Sequence, residues 1–459
     1  MIERIKFTPY ILVFIGLFFE SILVFLLAPH HFVYWFNLFC VIQFLLSVFL
    51  FLKAKKKKNY FDFDMIFIVT FFFVMFFFPV FMYESDPTRF FAFQYEYNED
   101  VISRATALSL LGIESYFLGS LTFRKKEHVD LKLPKRKIYH NIFALCFISA
   151  LSLLLFVFSG GYAKLAGAYS GEQVEASGMA SYFWAFTPAF LFCALIFQFN
   201  NLYVIDKNKI QKKAINKLLL IYTLFFIGLI ILTGSRTFPL QIVLICGSLY
   251  TILYKPISFV RFVPLLILGI LGLFIINIIR GGGDITGMAD LVIDLVVCNR
   301  NTYVSVDYVD IHGITYGKSM LSVLLAPLPF FQTIIFYVFS ISPWEAASSL
   351  IISKISLGEE GELGFGSNII ADLYMSFGMF GVIFFMFLLG RYIAKLLYYL
   401  KSNIYALVAY AVMMSYSVFI VRAEFFFFSR YLVWSLLIVF CVNIYNNSRK
   451  TNLDHDNNS

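Results

Sequence analysis

Apolar residues in this chain come in long runs, near 9–27, 32–52, 64–83, 101–123, 138–158, 182–199, 218–233, 240–254, 264–279, 368–390, 403–421 and 431–445. An apolar run of about 20 residues is the length of a helix that crosses about 30 Å of hydrocarbon. A backbone in lipid must satisfy its own polar groups, so each run is expected as a helix. The pattern predicts an all-α polytopic integral membrane protein of about twelve transmembrane helices with one large outer loop. It also divides the chain: helices and short loops over 1–279, the loop over 280–367, further helices over 368–445 and a polar tail over 446–459. Inside the loop, 319–342 is apolar but broken by Pro327 and Pro329, and is expected as interfacial or re-entrant helices. The runs 218–233 and 240–254 are short, so their turn, Gly234 to Pro239, is expected below the outer surface.

The polar gaps orient the bundle. Cytoplasmic loops collect Lys and Arg, and threading with the N-terminus inside places most of the 36 lysines and arginines on one face, among them Lys55 to Lys58, Lys132 to Lys137 and Lys207 to Lys217. Both termini are then expected in the cytoplasm and the long loop outside. The run from Pro9 to Leu27 follows Arg4 and Lys6 as a signal peptide would, but it lacks a small-x-small cleavage site and a second run follows at once. It is expected as an uncleaved first helix.

Composition agrees and excludes other classes. Only 14% of residues are charged against 60% hydrophobic, where a soluble domain carries about 25% charged. The net charge of +8 is confined to gaps between apolar runs, so it reads as topology and not as a nucleic-acid face. Six cysteines stand singly, and no Cys or His pair has metal-ligand spacing, so neither a disulfide framework, a metal nor another cofactor is expected. The cytoplasmic side has no Walker or Rossmann phosphate loop, and substrate is expected from the membrane or the outer face.

The basic residues that defy the inside bias are few, and most are Arg, whose planar fork suits phosphate. Arg236, Arg280, Arg300, Arg422 and Arg430 are therefore candidate ligands of a phosphate-bearing substrate. Each has a plainer alternative: Arg236 as a snorkelling turn residue, Arg280 as a helix-end anchor, Arg300 in an ion pair with Asp294 or Asp307, and Arg422 and Arg430 in interfacial pairing around Glu424. A base for a sugar hydroxyl needs a carboxylate or imidazole, for which the outer-face candidates are Glu424, Asp307, His312, Asp310 and Asp372. Glu359-Glu360-Gly361-Glu362 reads as a solvated turn or an acidic lid.

Two stretches carry a resemblance. Leu232-Thr233-Gly234-Ser235-Arg236-Thr237 closes a short apolar hairpin, and Gly364-Phe365-Gly366-Ser367-Asn368-Ile369-Ile370-Ala371-Asp372 runs into Phe377-Gly378-Met379-Phe380-Gly381. The chain in this respect resembles the Wzy-type O-antigen, or oligosaccharide repeat-unit, polymerases. Arg422-Ala423-Glu424 is similar to the late Arg-Glu pair of enterobacterial common antigen polymerases. Leu291 and Ile311 stand where an Arg-x10-Gly pattern of some members would place glycine. The resemblance implies a glycosyltransferase at the outer, periplasmic face of the bacterial inner membrane that moves a growing glycan from undecaprenyl diphosphate to a lipid-linked repeat unit. It implies undecaprenyl-diphosphate-linked oligosaccharides and membrane lipid as partners, and a chain-length regulator and a flippase as proteins of the same pathway. The alternatives are an O-antigen ligase of similar fold, for which His312 would be the loop histidine, and a flippase or other transporter of lipid-linked oligosaccharide.

Overall fold

The computed structural model describes residues 9–83, 91–123, 136–170, 178–207, 209–233, 235–279, 292–358 and 364–456. Among these residues the chain is helical and has no strand. The helices are α1 (Pro9–Leu26), α2 (Tyr34–Ala54), α3 (Phe63–Met75), α4 (Phe77–Phe81), α5 (Ile102–Thr122), α6 (Ile142–Phe158), α7 (Gly161–Ser170), α8 (Ala180–Ile205), α9 (Lys217–Leu232), α10 (Thr237–Leu253) and α11 (Phe259–Ile279). They continue with α12 (Ile293–Val296), α13 (Arg300–His312), α14 (Leu321–Leu325), α15 (Phe331–Val338), α16 (Ser348–Leu357), α17 (Ile369–Tyr399), α18 (Ile404–Ser415) and α19 (Ser429–Asp456). Among the described residues six helices, α1, α2, α5, α8, α17 and α19, are long and apolar enough to cross a membrane. Others, among them α3, α6, α9, α10 and α18, are apolar but shorter.

The axis of the bundle is α5, against which α1, α2 and α17 pack. Of the six long spans it is the least apolar and 89% of it is buried, whereas the most apolar, α1, is 11% buried. That inversion follows from the bilayer: lipid offers no hydrophobic drive between helices, so the inner helix is chosen for close packing and its neighbours for contact with lipid. The crossing of α5 and α17 depends on two glycines. A Cβ on Gly119 would run into the backbone of Phe387, and one on Gly390 into the backbone of Tyr116.

Three helices break near the end of the bundle that carries the 292–358 segment. The run expected as one span over 64–83 divides at Phe76, and Asn299 Nδ2 donates to the freed carbonyls of Val74 and Met75 at 2.8 and 2.9 Å. The run over 403–421 stops at Ser415, where the Ser415 and Ser417 hydroxyls bond back to the carbonyls of Val412 and Met414, a competition that ends helices. Within α17, Gly378 takes φ 63°, a conformation a side chain resists, and the backbone N–H groups of Thr315 and Gly317 donate to Met375 and Ser376 carbonyls at 2.9 and 3.1 Å. Each break is tolerated because protein, not lipid, meets the freed groups.

The segment read from its polarity as loop is thus partly core. The first half of α13, Arg300 to Val306, is buried and packs on α5 and α17. The proline break at 327–329 is covered by the first turns of α19. Val323 carbonyl would serve the N–H that Pro327 lacks, and Ser429 Oγ donates to it at 2.8 Å, while Trp434 Nε1 donates to Pro327 carbonyl at 2.7 Å. Beyond the break, α15 presents Phe331, Ile334, Tyr337 and Val338 to the outside.

The opposite end holds a buried ionic network that the sequence pattern treated as topology signals. Lys57 lies 2.7 Å from Asp62 and 3.5 Å from Asp64, and Lys55 lies 2.7 Å from Asp64. Tyr116 of α5 donates to Asp64 at 2.6 Å, and Tyr410 of α18 accepts from Phe63 N–H at 3.1 Å. The short α2–α3 connection is thereby fastened to two distant helices. Burial pulls Lys57 down, but the carboxylates of Asp62 and Asp64 more than offset it and raise its pKa.

Candidate functional site

The motif from Gly364 to Asp372 is the hinge on which the site is built. Asn368 caps α17 by accepting from Ala371 N–H at 2.8 Å, and its amide donates to Cys298 carbonyl at 2.7 Å and Thr302 Oγ1 at 2.9 Å. Ser305 Oγ donates to Ala371 carbonyl at 2.8 Å, and Asn301 donates to Phe365 carbonyl at 3.1 Å. Gly366, at φ 70°, makes the turn that lets these partners meet. In this way α13 and the first turn of α17 become one unit.

Asp372 then reaches the last helix connection. It is fully buried, and its Oδ2 accepts from Phe425 N–H at 2.9 Å, which places Glu424, itself 7% exposed, beside it so that the two carboxylates repel each other. Half-buried arginines lie on this connection and on those near it. Arg422, two residues before Glu424, lies against the Cys298 thiol. Arg236, at the N-terminus of α10, pairs with Asp294 at 2.6 Å, and Asp294 also borders Cys298. Arg430 donates from Nε to Ala326 carbonyl at 3.0 Å, lies over Trp434, and faces Tyr416 and Tyr431. The structure therefore links Arg236 through Asp294 and Cys298 to Arg422, two residues from Glu424, and adds Asp372, which holds the turn that carries Glu424; Arg430, at the start of α19, meets Ala326 and Trp434 instead. Gly234 and Arg280 lie outside the described residues, as does the Glu359-Glu360-Gly361-Glu362 turn.

Arg300 goes elsewhere. It is 0% exposed, donates from Nη1 to Ser356 Oγ and from Nη2 to Glu96 carbonyl, both at 2.8 Å, and lies over the rings of Phe365 at 4.8 Å and Tyr97 at 5.7 Å. Neither expected ion pair forms: Asp294 is taken by Arg236, and Asp307 accepts from Asn98 Nδ2 at 2.6 Å. Burial lowers Arg300 to about 10, still far above neutral pH, so it remains charged. An enclosed guanidinium of this kind shapes the wall around it and cannot touch a diphosphate without leaving its partners.

Asp307 lines an open cleft formed by the Phe93 to Glu99 segment. Asp310 is held by both terminal nitrogens of Arg104. His312 is exposed at the last residue of α13, with its ring against Tyr308 at 4.9 Å. At 1.5 Å per residue it lies about 20 Å along the helix from the turn at Cys298, so it does not join the Arg236 and Arg422 cluster. Sequence reasoning did not find Glu96 and Tyr97 as partners of Arg300, because a backbone carbonyl and an aromatic ring 200 residues away leave no local signal.

Fold and site together define a polytopic helical membrane protein in which contacts from Arg236 to Arg422 lead to the turn where Glu424 meets Asp372. Among known families, the model of the O-antigen polysaccharide polymerase Wzy family matches residues 6–451, nearly the whole chain, and the chain belongs to that family. It is therefore a membrane protein of polysaccharide biosynthesis, a glycosyltransferase-like polymerase that acts on lipid-linked oligosaccharide repeat units. Neither the curated proteins nor the solved structures compared with the chain gave a match.

Proposed function

We propose that the protein joins undecaprenyl-diphosphate-linked repeat units into O-antigen-type polysaccharide at the outer face of the inner membrane, with both termini in the cytoplasm. The observation that carries this reading is the contact chain from Arg236 through Asp294 and Cys298 to Arg422, which ends two residues from Glu424 and its buried neighbour Asp372. In the reaction the bond between the anomeric carbon of the donor glycan and the diphosphate oxygen breaks, and a bond to an acceptor hydroxyl oxygen forms. The hydroxyl proton passes to Glu424, and the diphosphate leaves with its charge met by the arginines. Asp372 is a positioning residue: its bond to Phe425 N–H fixes the turn that carries Glu424. The basic network of Lys55 and Lys57 at the opposite end supports the cytoplasmic assignment of that end.

The test is the length distribution of surface glycan on a gel, in a deletion strain complemented with wild type or with Arg236→Ala at equal protein level. The expected deletion phenotype is lipid A core bearing a single repeat unit, with the ladder restored by wild type and not by Arg236→Ala. Loss of all attachment, with long lipid-linked polymer accumulating in the membrane, would make the protein a ligase and overturn the reading.

A further inference from the structure

The Phe93 to Glu99 segment and Asp307 of α13 line an open cavity of about 560 Å³, within the range of roughly 300–1,000 Å³ typical of small-ligand sites. Its chemistry is one-sided. Glu96, Glu99 and Asp307 contribute carboxylates, Gln94 and Asn98 contribute amides, and Tyr95 contributes a ring, while no Lys or Arg is among the described residues that line it. Such a wall repels anions, a lipid diphosphate included. It suits a polyol: carboxylates accept O–H groups, amides both donate and accept, and ring faces take the C–H faces of sugar rings.

The wall is also braced from behind. Asn98 is fixed by its bond to Asp307, and Glu99 accepts from Tyr83 Oη at 2.6 Å. Tyr97 stacks on Tyr303 at 5.7 Å. Arg300, wholly enclosed, holds Glu96 carbonyl and lies over the Tyr97 ring, and its Nε has no hydrogen-bond partner among the described residues. A buried, charged donor spent on a main-chain carbonyl is an unusual investment unless the segment it holds must keep its shape. From Cys298, beside Arg422, to Asp307 is nine residues, about 13 Å of helix, so the cavity stands apart from the cationic cluster but within reach of the same glycan.

We propose that this cavity binds the uncharged sugar portion of the lipid-linked oligosaccharide, while the arginine cluster takes its diphosphate, and that Arg300 is a positioning residue for the sugar site. The proposal rests on the polymerase reading for the source of the glycan, and its test is separable from that reading. Full-length protein in lipid nanodiscs is mixed with the repeat-unit oligosaccharide of the producing strain, released from its lipid and free of phosphate, and binding is followed by saturation-transfer NMR. Wild type is expected to bind; Asp307→Ala and Glu96→Ala are each expected to weaken binding about tenfold or more, the equivalent of one hydrogen bond to a charged group. Arg236→Ala is expected to bind this phosphate-free probe as wild type does. Equal binding by wild type, Asp307→Ala and Glu96→Ala overturns the sugar site, as does the absence of binding to wild type. Because the Glu96 side chain is exposed, Glu96→Ala carries the test even where Asp307→Ala fails to fold. If Asp307→Ala and Glu96→Ala weaken binding while Arg236→Ala still supports a full ladder in cells, the sugar site stands and the role given to Arg236 falls.

Discussion

Replacing Arg300 by Met removes a buried charge and keeps an apolar stem of similar reach. Two opposing terms follow. The Glu96 carbonyl and the Ser356 hydroxyl lose a charged donor, each at 2.8 Å, and a buried acceptor left unmet costs about 1–3 kcal/mol. The cation's contacts with Phe365 and Tyr97 are also lost, worth about 2 kcal/mol where desolvated. Against this, the cost of burying the guanidinium disappears, and exchange of a buried ion for an apolar residue is often nearly neutral overall. The expected result is a small change in global melting temperature but a local loosening of the Phe93 to Glu99 segment by about 2–4 kcal/mol. Because 1.4 kcal/mol is a factor of ten, amide exchange in that segment should quicken by about thirtyfold to several hundredfold. Hydrogen exchange with mass spectrometry in nanodiscs measures it on peptides covering 92–100. Arg300→Lys should be worse for global stability than Arg300→Met, since an ammonium stays buried but cannot fork to both partners. If Arg300→Met abolishes polymerisation while exchange in 92–100 is unchanged, Arg300 acts on the substrate directly and the reasoning fails.

Glu424→Gln should lower the rate of polymer formation by about 10² to 10⁴ at normal protein level, the range for loss of a general base, whereas Asp372→Asn, which keeps an oxygen for Phe425 N–H, should cost far less; the order of the two in a radiolabelled polymerisation assay decides the assignment. Gly390→Ala places a Cβ against the Tyr116 backbone while Gly16→Ala meets open space, so the first should reduce yield of folded protein and the second should not, as read by size-exclusion fluorescence. Lys57 has a folded pKa raised above its ordinary 10.5, so its contribution to stability is complete below about pH 10.5 and is lost as pH climbs through the higher folded value. Lys57→Met should lower thermal stability by about 3–5 kcal/mol near neutral pH, because Asp62 is left uncompensated, and should flatten the alkaline fall; an unchanged alkaline fall in Lys57→Met would assign that step to another group.

Much of the architecture was legible along the chain because its cause is local. Any stretch that faces lipid must be apolar and must close its own hydrogen bonds, so runs such as Pro9–Leu26 and Tyr34–Ala54 announce themselves as helices without reference to the rest of the molecule. The arginines at Arg236 and Arg422 were legible for a related reason: charge near the membrane outside the basic loops stands out against its surroundings. Where polar groups find their partners was decided by tertiary structure alone. Arg300 looks like Arg236 in the sequence, yet one is enclosed against Glu96 and Tyr97 and the other pairs with Asp294 at the surface of the cluster. The 292–320 segment reads as loop, yet its donors meet the carbonyls freed where α3 and α17 break. Lys57 reads as a topology signal, yet it is buried between Asp62 and Asp64. In each case the partner lies in another element or is a main-chain group exposed only by a break, and an unmet polar group inside the bundle is too costly to leave, so the fold had to bring them together.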